Sequence, residues 1–427
     1  MKDSIVTNKE RPWSEKQKLC ILLLVASSFI GLSILTDYPV NIIRGLYQII
    51  IHPDSLITDY LVIGGIGAAF LNSGLLTLFF IYLLYQHQVP FNGATFAALF
   101  LIAGFSFLGK NILNVWTIIA GVYLYAKYHK EKFGSYLYIA LFGTAMAPIV
   151  TEIIFHSTLS FPLRISLGMI LGIGIGFILP PLSLHFFKLH KGYNLYNVGF
   201  STGLVITVLV ALFKSFGYSP SSQLIWGDNY HTTLAIYLYL LCLSLLLIGF
   251  TSQPNAWYHL KRIMTYSGQL STDFIQLEGF GATLMNMGIN GIMVTSYVLI
   301  VGGQLNGPTL GGIFAVIGFG AYGKHLKNIT PVMIGVIIGS FIKVWSINDP
   351  SILLASLFGT ALAPIAGTYG RFLGILAGFL HSSVVLHIGE LHAGLNLYNN
   401  GFSAGIVASI LIPVIEVFKQ STTSSIK

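Results

Sequence analysis

The stretch GYNLYNVGFSTGLV at residues 192–205 returns as GLNLYNNGFSAGIV at 394–407, identical at 10 of 14 positions. Upstream, LFGTAMAPI at 141–149 returns as LFGTALAPI at 357–365, identical at 8 of 9. Further upstream, 56–122 aligns without a gap on 270–336, with 19 identities in 67 positions. These pair Thr58-Asp59 with Thr272-Asp273, Asn72 with Asn286, Asn92-Gly93 with Asn306-Gly307, Thr95 with Thr309, and Gly109-Lys110 with Gly323-Lys324. Apolar sequence yields chance Leu and Ile matches. It does not yield matched Asn, Thr, Lys and Pro in the same order, so the chain is an internal duplication, and a duplication sets the architecture before any local reading does.

Composition says where the duplicated unit lives. Of 427 residues, 54% are hydrophobic and 8% charged, against about 25% charged in soluble domains. So little charge cannot cover a water-facing surface, and most of the surface must face lipid or other parts of the chain. The 46 glycines suit helices packed closely in a bilayer, where small residues let backbones approach. The net charge of +8 is scattered through short connections, which is no nucleic-acid signature. Cys20 and Cys242 each lie within an apolar run, which argues against a disulfide scaffold and a cysteine metal site. The basic N-terminus leads into an apolar run from Leu19 to Leu35 with no small-residue cleavage site, which reads as a retained helix.

About 20 apolar residues are needed per spanning helix. Fourteen segments qualify: 18–35, 58–85, 92–109, 113–127, 135–156, 163–185, 193–214, 231–251, 273–300, 306–322, 329–345, 350–368, 370–388 and 396–418. Those at 113–127 and 306–322 are short enough to be half-helices. With the N-terminus in the cytoplasm and every segment crossing, 17 Lys and Arg fall inside. Five fall outside: Arg44, Lys110, Arg164, Lys214 and Lys343. That bias follows the positive-inside rule and places both termini in the cytoplasm of a plasma (inner) membrane. The expected fold is an all-α polytopic membrane protein of two seven-segment repeats. Because seven is odd, the second repeat is inverted. The units are a tail (1–18), a first membrane repeat (19–215), an extracytoplasmic loop (216–230), a second repeat (231–418) and a tail (419–427). The stretches 36–55 and 252–270, each after a lead helix, read as interfacial.

Candidate residues for chemistry are the matched polar ones. Asn194, Asn197, Asn396 and Asn399 head apolar segments, and neutral amides can replace the hydration of a polar solute. They can equally cap helices or tie them together. Asn92 and Thr95, with Asn306 and Thr309, mark helix starts. If those starts lie deep in the membrane, their N–H groups face a substrate. If they lie at the surface, they are ordinary caps. Asn72 and Asn286 complete the matched amides. Gly143–Pro148 and Gly359–Pro364 break their helices and either line a cavity or kink for packing. Glu152 and His156, one helical turn apart, are candidates for proton coupling. His185 with His387, and His190 with His392, match between copies and read as interfacial anchors. Glu278, Lys343, Arg371 and Glu390 complete the ionisable set near the spans, and no metal-ligand spacing or phosphate-binding loop occurs.

The GxNLYNxGFSxG and LFGTAxAPI pairs resemble a bacterial membrane family, domain of unknown function 1576, over nearly the full length. That resemblance implies membership without an activity. The order of a helix start at Asn306–Gly312 and then Gly394–Gly401 (with Asn92–Ala98 and Gly192–Gly199) is similar to the urea-channel pattern. That family's Leu-Pro-rich signature is not evident, so this likeness implies an inverted-repeat architecture more than a substrate.

The expected function is transport or channelling of a small solute through a site at the repeat interface near the midplane. The absence of matched charge within the spans points to a neutral polar solute. The competing reading is a membrane-embedded enzyme or an accessory subunit. No enzyme activity, cofactor or metal is expected. The expected partners are the lipid bilayer and the solute, and a homo-oligomer is compatible with the sequence.

Overall fold

The computed structural model describes residues 13–220 and 222–424. Lys2, Lys9, Arg11 and Lys427, which enter the charge count, lie outside these. The described chain is helical, without β-strands. Among the described residues ten helices are long and apolar enough to cross a membrane, including Glu15–Thr36, Tyr60–Gln86, Phe133–His156 and Phe161–His190 in the first half. The expected segments at 92–109, 113–127, 306–322 and 329–345 are shorter helices: Gly93–Phe105, Trp116–Tyr128, Gly307–Phe319 and Leu326–Ile342. A 13-residue helix rises only about 20 Å, less than the roughly 30 Å hydrocarbon core.

Two of these short helices form the centre of the molecule. Every residue of Gly307–Phe319 is buried, as is every residue of Gly93–Phe105 except Ala94. They run antiparallel against each other. Gly104 faces Gly311, and Gly318 faces Ala97 and Phe100, so closely that a Cβ at Gly104 would lie 3.0 Å from the Gly311 Cα. A helix apolar on all sides has no stable place except inside protein or lipid. Here the polar flanks are satisfied by the other half.

Several corresponding residues make corresponding contacts. Asn72 donates to the carbonyls of Ser106 and Lys110, both at 2.8 Å. Asn286 donates to those of Gly320 and Lys324, at 2.7 and 2.8 Å. Gly65 interrupts Tyr60–Gln86 with φ +78°. Its counterpart Gly279 separates Phe274–Glu278 from Phe280–Ile300 with φ +88°. Only glycine takes that conformation readily.

The GFSTG and GFSAG segments of the repeat carry a small-xxx-small spacing that brings helix backbones together. Asn197–Ser215 packs on Asn399–Ser424 through it. The Gly199 and Gly401 backbones touch, and Phe402 and Phe200 fill the notches over Gly203 and Gly405. The stretches after the lead helices fold as short helices, Pro39–Ile51 and Ala256–Ile263, which bury Ile42, Gly45 and Ile49, and Ala256, Leu260 and Ile263. The connecting loop runs beside residues 55–59: Ile57 and Ile225 donate to the carbonyls of Gln223 and Ile57 at 2.8 and 2.9 Å.

A central pair of lysine–tyrosine contacts

The glycine-proline segments do break their helices. A 3-10 turn covers Thr144–Met146 in one half and Thr360–Leu362 in the other, each followed by a proline. Such a break frees carbonyls that need partners. The Asn-Leu-Tyr-Asn segment of the opposite half supplies them. Leu397 donates its N–H to Ala145 at 3.1 Å, and Leu195 donates to Ala361 at 3.0 Å. Asn194 and Asn396 shape these segments by accepting the N–H of Tyr196 and Tyr398, at 2.9 and 3.1 Å. Asn194 also donates to Gly401, and Asn396 accepts from Thr202.

What this docking delivers is the tyrosine between the asparagines. Lys110 donates to the Tyr398 hydroxyl at 2.7 Å, and Lys324 to the Tyr196 hydroxyl at 2.6 Å. Lys324 also donates to Thr360 at 2.7 Å. Both lysines are 0% exposed. Each follows the C-terminus of a short helix, where the helix dipole favours a cation. The ammonium groups lie 5.4 Å from the Phe105 ring centre and 5.2 Å from that of Phe319, within range of a cation–π contact. Among the described residues neither lysine makes an ion pair.

Burial opposes an ammonium charge by several kcal/mol. The contacts that favour it are hydrogen bonds at about 1.5–3 kcal/mol each, a desolvated cation–π contact at about 2 kcal/mol, and a helix C-terminus at about 0.3–2 kcal/mol. These contacts offset part of that burial cost.

Two cavities flank this pair. One of about 320 Å³ is lined by Phe105 and Leu108, at the end of the first short helix, with Leu56, Phe358, Leu397 and Asn399. The connecting-loop residues Ser222, Gln223 and Leu224 border it. The other, of about 170 Å³, is lined by Ala94, Ala97 and Leu101, at the start of that helix, with Leu270, Phe142, Leu195, Asn197 and Phe319. Much of the lining is equivalent under the duplication: Leu56 with Leu270, Phe105 with Phe319, Phe358 with Phe142, Leu397 with Leu195, Asn399 with Asn197. Between them is a neck of about 10 Å³ walled by Leu101, Phe105, Tyr196, Phe358, Tyr398, Asn400 and neighbours. That is room for about one water.

The family described as "Protein of unknown function (DUF1576)" matches residues 38–215 and 252–417. The chain belongs to this family. Each DUF1576 stretch begins at the end of a lead helix, so the match takes in both copies of every lysine, tyrosine and asparagine described above. No curated protein and no solved structure matches the chain.

Of the amides singled out by sequence, the DUF1576 fold places most in ties between elements. Asn197 joins the His190 ring, at 2.8 Å, to the Ser183 carbonyl, and Asn399 joins the His392 ring, at 2.8 Å, to the Val385 carbonyl. They also border the two cavities. Asn72 and Asn286 bind the ends of the short helices, each leaving its amide oxygen buried without a protein partner. Asn92 and Asn306 cap the short helices by accepting from the N–H of Thr95 and Thr309, both at 3.1 Å. Those helices do start in the interior, but their first N–H groups are taken. Gly93 donates to Asp273 and Gly307 to Asp59, aspartates of the opposite half. Their positive ends therefore meet a built-in carboxylate.

Glu152 and His156 lie near each other but, among the described residues, share no hydrogen bond or ion pair. The segment Glu152–His156 is a π-turn, which winds wider than 3.6 residues and removes the stacking of positions four apart. Glu152 accepts from Tyr218 at 2.5 Å instead, and His156 is exposed. Sequence reasoning passed over Lys110 and Lys324. The Gly-Lys match was visible, but a lysine between two apolar runs reads as a loop charge, outside for one and inside for the other. Their burial also removes the premise that no matched charge lies within the membrane part.

Proposed function

We propose that this protein is a transporter or channel for a small polar solute, built of two inverted-topology repeats in the plasma membrane with both termini cytoplasmic. The antiparallel short helices and the exchanged contacts support inversion, because a two-fold axis in the membrane plane relates such repeats. With Lys110 and Lys324 set aside as buried, the remaining basic residues still divide sixteen to four in favour of the cytoplasmic side. One observation carries the functional reading: two cavities with equivalent linings lie at opposite ends of one buried helix and meet at an aromatic neck. A solute entering one cavity has its matching exit in the other, and a small relative movement of the halves would open the neck.

The test is flux into proteoliposomes holding the purified full chain, over a panel of neutral amides, amines and anions, with and without a proton gradient. Saturable or selective flux, raised by Phe358→Leu at the neck, is the expected result. No flux of any panel member from protein that melts cooperatively would count against transport by this chain alone.

A further inference from the structure

We propose that the larger cavity binds a small uncharged solute by its carbonyl oxygen, which the amide of Asn400, oriented by His381, holds. This deepens the transport reading by naming a substrate class, and rests on that reading only for the solute's onward passage. The inference starts from a departure from the duplication. At the helix break of the first half, Leu179 packs against Gly143. At that of the second half, the His381 ring packs against Gly359. A Cβ on either glycine would meet that neighbour at 2.7 Å. Counted from the repeated Asn-Leu-Tyr-Asn segments, Leu179 corresponds to His381 and Val198 to Asn400. Val198 lines the smaller cavity and Asn400 the larger. One half therefore packs these two positions with apolar side chains, so the fold does not require polar ones in the other. Burying a histidine and an amide is costly unless both are hydrogen-bonded.

They are bonded in a way that leaves one group over. The Nδ1 of His381 accepts from the Ser403 hydroxyl at 3.1 Å, so its Nε2 carries the ring proton and donates to the Asn400 Oδ1, also at 3.1 Å. The amide oxygen is thereby engaged. Among the described residues the Asn400 NH2 group makes no hydrogen bond, and it is not sealed off: Asn400 borders both the larger cavity and the neck. Its neighbour Asn399 differs, with both amide atoms engaged by His392 and Val385.

Two free N–H donors at a cavity wall call for an acceptor. Among the described residues no lysine or arginine lines this cavity, and the exposed carboxylate of Glu390 borders it, which disfavours an anion. A cation gains nothing from N–H donors. Phe105, Leu108, Leu354 and Phe358 offer an apolar wall. Its volume of about 320 Å³ falls within the range of small-molecule sites, roughly 300–1,000 Å³. An uncharged molecule with a carbonyl oxygen and an apolar body, such as an aromatic amide, meets these conditions together.

The experiment is thermal melting of the full chain in lipid nanodiscs with benzamide, benzoate or benzylammonium, which share a ring and differ in charge, at constant ionic strength. The expected result is a saturable rise in melting temperature with benzamide, absent with the two ions. Asn400→Val should weaken benzamide binding about tenfold. His381→Leu should weaken it by less, because the amide stays but turns freely. His381→Gln, which keeps a donor for the Asn400 oxygen, should preserve it, as a merely space-filling role for the ring would not require. The double variant His381→Leu/Asn400→Val copies the pair that the first half already accommodates, and should fold without the benzamide response. Equal responses to all three compounds, a rise that does not saturate, or one retained in the double variant overturns the site. If the variants do not fold, the wild-type series decides alone, and no difference between benzamide and the ions overturns it. Benzamide binding that depends on Asn400, without flux of any solute, would sink transport and keep the site. Flux of a panel solute without benzamide binding would do the reverse.

Discussion

Asp273 accepts the first backbone N–H of the buried helix that begins at Gly93, at 2.9 Å, from the opposite half of the chain. Asp59 does the same for Gly307 at 3.1 Å while capping its own helix through Leu61. Each half therefore anchors the positive end of the other's central helix. Asp59→Asn and Asp273→Asn keep the shape and remove the charge, and each should cost about 1 kcal/mol, the difference between charge-assisted and neutral hydrogen bonds. Asp59→Asn should cost more, because that carboxylate also holds the connecting loop through Gly227. Melting temperatures in detergent would check this. Unchanged melting in both variants would show that the caps contribute nothing.

Asn399→Ala should lower stability before it alters any transport property. It strips a partner from the buried His392 ring and from the Val385 carbonyl. Leaving such groups unsatisfied costs about 1–3 kcal/mol each. Asn197→Ala should act alike through His190 and Ser183. Variants that melt like the wild type and lose flux would assign these amides to the solute instead.

Gly203→Leu should prevent assembly of the final helix pair. A Cβ there would lie 2.1 Å from the Phe402 ring, in a notch with no free volume. Size-exclusion profiles and expression level would report it, with an exposed apolar position such as Val208→Leu as the control.

Asp54 gives the chain a pH dependence. It sits in the loop before Tyr60, where burial pushes its carboxyl up to about 7 against four hydrogen bonds that pull it down. The ordinary value is about 3.9. The native state thus holds the proton more tightly than the unfolded chain. That contribution to stability is complete below about pH 4 and is lost as pH rises through about 7. The melting temperature of the wild type should fall across that window relative to Asp54→Asn. Parallel curves would mean that the carboxyl titrates alike in both states.

The sequence and the structure agree where local chemistry decides. The helix starts at Asn92 and Asn306 and the breaks before Pro148 and Pro364 were legible, because caps and prolines act within four residues. The lysine–tyrosine pairs were not. Lys110 and Tyr398 are 288 positions apart, and no local pattern marks a phenol as the partner of a distant ammonium. In NLYN the amides drew the functional reading, whereas their observed work is to shape the segment and offer up its tyrosine. The GFSTG and GFSAG spacings did hold a readable signal, one for helix packing. The π-turn that spaces Glu152 and His156, and the bond of Glu152 to Tyr218, have no signature in residue types alone.

The exchange of tyrosines between halves also sets an order for biosynthesis. Lys110 leaves the ribosome 288 residues before Tyr398, which at about 5–20 residues per second is a wait of roughly 15–60 s. During that interval the first half has inserted an ammonium group whose hydroxyl partner has not been made. Translocon, lipid headgroups or an insertion chaperone must shelter it until the last helix arrives, so truncated nascent chains should be recognised as immature by membrane quality control however complete their first seven segments are.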